Sequence, residues 1–263
     1  MDQYILICAY VLGGLLGLCV GSFLNVVIYR VPRDMSLAFP GSHCTSCDYS
    51  LKWYDNIPVL SWVMLGGKCR KCRAPISPRY TLVELANTVL WVLAVALFWQ
   101  ENPVYACAVA LACSLLICVF FIDLEHMLIY NRFVLLLALL GVVTMFHDSY
   151  TQPADHVIGL LAGGGVFAAL YFGAILILKK EGMGFGDVKL VAALGLLLGW
   201  QKLLLTILLA SVLGSVVLVA LNRIKHQERD TEYPFGPFIV GGTLVALMAG
   251  APILTWYMGL LLG

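Results

Sequence analysis

Two aspartates offer the chemistry most directly legible in this chain. Asp123 ends the apolar run 110–122, and Asp187 closes Gly182-Met183-Gly184-Phe185-Gly186 just before Val188-Lys189. An ionised carboxylate is costly at the edge of an apolar segment. Two of them at matching depth suggest a pair that shares a small, partly dry site and holds one proton between them. The ionised member of such a pair can take a proton from water, and its protonated partner can donate to an oxyanion or leaving amine, as in aspartic proteases. Gly184 and Gly186 could open a helix start and let water and an extended peptide reach Asp187. Asp123 alone would read as a charge marking a helix end. His126 could tune Asp123 or simply sit at an interface, and Glu125 reads as solvated.

The elements that must position this pair are apolar. The 263 residues are 61% hydrophobic and 12% charged, which excludes an ordinary soluble domain and points to an all-α polytopic membrane protein. Uncharged stretches at 3–29, 85–100, 102–122, 133–146, 157–178, 190–201, 203–222 and 233–263 predict about eight transmembrane helices. Stretches 133–146 and 190–201 fall short of the roughly 20 residues that cross a bilayer, so they must recruit flanking residues or sit askew.

Orientation follows from the cations, which stay on the cytoplasmic side of short loops. With the first loop inside, eight of the sixteen lie between Arg30 and Arg79. Arg132, Lys179, Lys180, Lys189, Arg223, Lys225 and Arg229 join them, and Lys202 alone falls outside. Both termini then face out, and Asp123 and Asp187 share the cytoplasmic interface. The first segment lacks the basic start and cleavage pattern of a signal peptide. The expected division is 1–29 as the first transmembrane helix, 30–80 as a small cytoplasmic domain and 81–263 as a membrane core bearing both aspartates.

Segment 30–80 contains Cys44-Thr45-Ser46-Cys47 and Cys69-Arg70-Lys71-Cys72, two knuckles with 21 residues between them. So small a domain buries too little surface to fold unaided, and four thiolates around a zinc ion would supply the missing stability. A four-Cys site leaves no open position for substrate, which favours a structural role. Lys68, Arg70, Lys71 and Arg73 would partly offset its charge. Cys8, Cys19, Cys107, Cys113 and Cys118 lie in apolar runs as packing residues, and the five histidines form no recognisable metal motif. Glu228, Asp230 and Glu232 could attract a basic peptide or form a solvated loop.

The chain resembles the type IV prepilin leader peptidases, membrane aspartyl proteases of the Gly-x-Gly-Asp class. The resemblance rests on Gly21-Ser22-Phe23-Leu24-Asn25-Val26-Val27-Ile28-Tyr29-Arg30, the four cysteines, Asp55-Asn56-Ile57-Pro58-Val59-Leu60-Ser61-Trp62, Ser77-Pro78-Arg79-Tyr80 and Leu82-Val83-Glu84-Leu85. It continues through Asp123-Leu124-Glu125-His126, Gly182 to Lys189 and Pro234-Phe235-Gly236-Pro237. It implies a bifunctional enzyme of the bacterial inner membrane. Such an enzyme cuts the basic leader from prepilins and pseudopilins ahead of their hydrophobic helix, then methylates the new N-terminus with S-adenosylmethionine. By position, Asp123 and Asp187 correspond to the catalytic pair, Gly67 and Lys68 to the residues associated with methyl transfer, and Cys44, Cys47, Cys69 and Cys72 to the zinc ligands. The implied partners are prepilin substrates and the lipid bilayer, with no nucleic acid.

Two departures from the family pattern stand out. Ile129-Tyr130-Asn131 follows Asp123 where the family has a proline step, so the helix must break there by other means, and Thr81 replaces a proline. No Gly-x-Gly-x-x-Gly follows a predicted strand, so the methyl-donor site rests on the resemblance alone. Two alternatives stay open: a leader peptidase without methyl transfer, and a zinc-regulated transporter whose acids bind a permeating cation.

Overall fold

A computed structural model describes residues 3–179, 183–225 and 233–262. Lys180, Gly182, Glu228, Arg229, Asp230 and Glu232 lie outside the described residues. The described residues form helices and two isolated β-bridges, with no strand among them. They divide into two compact units, 1–100 and 101–263. The 81–100 segment groups with the first helix and the cysteine domain.

In the first unit, α1 (Gln3–Arg30) packs along α3 (Arg79–Phe98), and a short α2 (Leu60–Met64) lies between them in the chain. Glycine spacing permits this close approach. A Cβ at Gly17 would lie 2.9 Å from the Thr88 Cα, and one at Gly21 would lie 2.8 Å from the Glu84 Cα. With the backbones so near, small residues and interhelical hydrogen bonds hold the pair. Asn87 donates to the Gly17 carbonyl at 2.7 Å, and Asn25 to the Tyr80 carbonyl at 3.0 Å.

The second unit is a bundle of α4 (Pro103–His126), α5 (Asn131–His147), α6 (Pro153–Leu178), α7 (Phe185–Leu198), α8 (Trp200–Lys225) and α9 (Gly236–Leu262). Among the described residues, six helices are long and apolar enough to cross a membrane. The 17-residue α5 and 14-residue α7 are the two short ones, as their apolar stretches lead one to expect. Helix α4 is the central one, with 72% of its most apolar stretch buried. Asn102 caps its start by accepting from the Val104 and Tyr105 amides at 3.0 and 3.1 Å, ahead of a proline whose missing N–H needs no partner. Helices α6 and α7 meet backbone to backbone, since a Cβ on either Gly159 or Gly195 would collide with the other's carbonyl.

A buried polar cluster ties the helix ends farthest from Asp123. The Asp148 carboxylate accepts from Lys202 Nζ at 2.8 Å, Thr151 Oγ1 at 2.9 Å, Tyr105 Oη at 3.3 Å and the Tyr150 amide at 2.8 Å. His156, fully buried, contacts Thr151 Oγ1 and the Leu196 carbonyl, each at 2.8 Å. The cluster thus joins α4, α6, α7 and α8 through the 148–152 turn. Tyr105 and Asp123 stand about 27 Å apart along α4 at 1.5 Å per residue.

Candidate active site

Three helix termini converge on the two aspartates. Asp123 lies in the last turn of α4, which ends because Met127 adopts a left-handed conformation (φ 52°) and its amide returns to the Asp123 carbonyl at 2.8 Å. The chain then runs extended to Tyr130, which precedes α5. This left-handed cap supplies the break for which the sequence offered no proline. Asp187 occupies the third position of α7, whose N-cap is Gly184. Its amide donates to the Gly184 carbonyl at 3.1 Å, and its carboxylate accepts in return from the Gly184 amide. The third terminus is the start of α9, where the Gly236 amide donates to the Asp123 carboxylate.

The two carboxylates lie within electrostatic reach of one another, and both side chains are buried. Each faces a helix N-terminus, Asp187 that of α7 and Asp123 that of α9. The partial positive charge at those ends offsets the mutual repulsion of the acids. The glycines around the pair do different things. A Cβ at Gly186 would lie 3.0 Å from the Ile129 Cβ, so this glycine lets the segment after Asp123 cross the start of α7. A Cβ at Gly184 would meet Asp187 Oδ2 at 3.7 Å, an ordinary contact. His126 Nε2 lies 3.9 Å from Glu125 Oε2 rather than in the pair.

Gly236 is a site residue to which the sequence assigns no role. A Cβ there would overlap the Asp123 carboxylate. Its signal is the run Pro234-Phe235-Gly236-Pro237, a helix start with a glycine where a backbone must come close. Gly236→Ala is expected to displace Asp123 and slow the pair's chemistry roughly 100-fold, the scale of a misplacement of about 1 Å. Turnover of the variant against wild type checks it, and an unchanged rate would show that the contact does not position Asp123.

The four cysteines of the first unit also come together. Their Sγ atoms all lie within 4.8 Å of one another, with Cys44 and Cys72 at 3.8 Å. Tetrahedral ligands about 2.3 Å from a zinc ion stand about 3.8 Å apart, so the cluster suits such an ion. The two knuckles repeat one backbone design. The Cys44 amide donates to the Tyr49 carbonyl and the Cys69 amide to the Ala74 carbonyl, at 2.9 and 2.8 Å, and Asp48 and Arg73 take left-handed conformations at equivalent positions. The Cys72 and Lys71 amides, outweighing burial, hold the Cys69 thiol down to about 6. At Cys47 the Tyr49 amide favours the thiolate, yet burial and hydrogen bonds shared with the other thiols push it up to about 11. Beside the cluster, Asp55 pairs with Arg70 at 2.6 Å. Burial disfavours the Asp55 carboxylate, but Arg70, the Lys52 amide and Tyr49 together hold it below the usual carboxylate range.

A cavity of about 400 Å³ opens between the cysteine domain and the α1/α3 pair, within the first unit. Its wall includes Leu65 and Cys69 but neither Gly67 nor Lys68. Gly67 is left-handed (φ 67°), and a Cβ on it would lie 2.9 Å from the Trp62 ring, which does line the cavity. Lys68 forms the isolated bridge with Pro75.

The chain is similar to two protein families and to several curated proteins. The model of the bacterial peptidase A24 N-terminal domain matches residues 15–98, and that of the type IV leader peptidase family matches residues 110–219. A protein of Aeromonas hydrophila called prepilin leader peptidase/N-methyltransferase is 36% identical over 93% of this chain and 92% of its own. Proteins of the same description from Stutzerimonas stutzeri and Pseudomonas aeruginosa are 37% and 36% identical, over 96% and 93% of this chain and 93% and 91% of theirs. No solved structure matches.

Proposed function

The chain belongs to the type IV leader peptidase family, and from that premise we propose a bifunctional membrane enzyme. It cleaves the leader of prepilins or pseudopilins and then methylates the new N-terminus with S-adenosylmethionine. The observation that carries the proteolytic half is the placing of Asp123 and Asp187 together at three helix termini. One aspartate, ionised, takes a proton from water as the oxygen attacks the scissile carbonyl. The other, protonated, donates to the developing oxyanion and then to the leaving amine, so the C–N bond breaks without a covalent intermediate. Helix N-termini on both sides keep one negative charge tolerable through the cycle. The cationic loops favour a cytoplasmic position for these helix ends, where a membrane-embedded prepilin presents the junction between basic leader and apolar helix.

S-adenosylmethionine, when bound, supplies an electrophilic methyl group. That methyl would go to the new N-terminal amine, which must be held as the neutral base to accept it. The chain's part is to hold donor and amine together and exclude water.

Zinc is the ion that Cys44, Cys47, Cys69 and Cys72 would hold, and it would cross-link the two knuckles. Cys69→Ser is expected to lower zinc from about one per chain to near zero and to open segment 36–76 to proteolysis. Metal analysis with limited proteolysis checks this, and full zinc content in the variant would move the site elsewhere.

Mass spectrometry of a prepilin incubated with the purified protein, with and without S-adenosylmethionine, tests the whole reading. A leader-sized loss followed by a methyl-sized gain is expected. Loss without gain would leave only the peptidase, and no change with a folded, metal-loaded protein would contradict both halves.

A further inference from the structure

The cavity of the first unit holds two buried charges that face no opposite charge. Glu84 is 7% exposed, and its carboxylate accepts from the Val59 amide at 2.7 Å and from the Ser22 hydroxyl. Among the described residues no cation pairs with it. Arg30 is 5% exposed and spends its guanidinium on backbone carbonyls, those of Ser36 at 2.8 Å and Pro40 at 2.6 Å, with no carboxylate among its described partners. Buried charges are normally paired, because desolvation costs several kcal/mol per ion. One carboxylate and one guanidinium in the wall of one cavity, each without a counter-ion, complement a ligand that carries both a cation and a carboxylate.

The remaining wall fits the rest of such a ligand. Tyr49, Trp62 and Tyr80 line it. Aromatic faces of this kind suit a planar base and attract a cation. The volume, about 400 Å³, falls within the ~300–1,000 Å³ typical of small-molecule sites. Trp62 is fixed by its indole N–H, which donates to the Ile76 carbonyl at 3.1 Å, and by Gly67 behind it. Val59 has a left-handed φ of 61°, a strained state for a β-branched residue, and its amide is held by Glu84. The runs around Ser22, Asn56, Ser77 and Glu84, which the cleavage chemistry leaves unused, all supply this one wall.

We infer that this cavity is the methyl-donor site, taking S-adenosylmethionine with Glu84 facing its sulfonium, Arg30 its carboxylate and the aromatic residues its base. The inference rests on the methyltransferase reading above and locates it. Gly67 is then a positioning residue that acts through Trp62.

Calorimetric titration of S-adenosylmethionine into the full-length protein in detergent tests the site. Glu84→Gln keeps an oxygen for the Val59 amide but removes the charge, and Ser61→Trp fills the cavity without removing any backbone hydrogen bond. Each is expected to weaken donor binding at least tenfold and to raise the donor KM of methylation. Glu84→Gln should weaken S-adenosylhomocysteine less, because that thioether lacks the sulfonium charge. Leader cleavage by the same preparations reports that the chain is folded. Wild-type donor affinity in both variants overturns the site. A wild-type protein that neither binds the donor nor methylates a cleaved pilin overturns the methyltransferase reading, and the inference with it.

Discussion

Asp187→Asn is expected to abolish leader cleavage, lowering the rate roughly 10⁴-fold or more, about 5 kcal/mol of barrier. Asparagine is nearly isosteric and can still accept from the Gly184 amide, so α7 should keep its cap and the helix ends their places. What it loses is the exchange of a proton with Asp123. Asparagine can neither take a proton from water nor pass one to a leaving amine. Methylation of a pilin supplied already cut should survive, because the proposed donor cavity is built from residues of the first unit. Rates on uncut and precut substrate separate the two effects. Cleavage near the wild-type rate would remove Asp187 from the mechanism.

The second large effect concerns stability. Lys202 and Asp148 form an ion pair at 2.8 Å whose side chains are 4% and 0% exposed. Lys202→Met keeps the aliphatic stem but leaves the Asp148 carboxylate buried with only neutral donors. Removing one partner of a buried pair costs about 3–5 kcal/mol, far more than breaking an exposed one. Since Asp148 also holds Tyr105, Thr151 and the Tyr150 amide, the loss should spread to the junction of α4, α6, α7 and α8. A lower denaturation midpoint in detergent is expected. The double variant Asp148→Leu/Lys202→Met should recover much of the loss, because it leaves no charge unpaired. An unchanged midpoint in Lys202→Met would mean that Asp148 finds another counter-charge.

Both features bear on what a sequence can reveal. The cysteine knuckles and the two aspartates are legible because each is marked within a few residues, by Cys-x-x-Cys spacing or by a carboxylate at the edge of an apolar run. The short α5 and α7 are legible for the same reason, since span length is a local property. Gly236 is not, because its meaning lies in a contact with Asp123 more than a hundred positions away. The end of α4 is equally hidden. Nothing in Met127 marks it as left-handed, and the missing proline leaves the break without a sequence signal. Lys202 stands apart in sequence as the sole cation assigned to the outer side, whereas in the fold it is neutralised by Asp148. Helix α3 reads like any other apolar span, and its pairing with α1 shows in the glycines of α1 and in the Asn87 and Asn25 hydrogen bonds.

The central claim is that Asp123 and Asp187 work as one proton-sharing pair. Single-turnover cleavage of a prepilin by wild type, Asp123→Asn, Asp187→Asn and the double variant tests it most directly. Groups that act as a unit are non-additive. Each single variant is therefore expected to fall to the floor reached by the double variant, with all three still folded and binding zinc. Near wild-type cleavage in either single variant, or single losses that sum to the loss of the double variant, would contradict it.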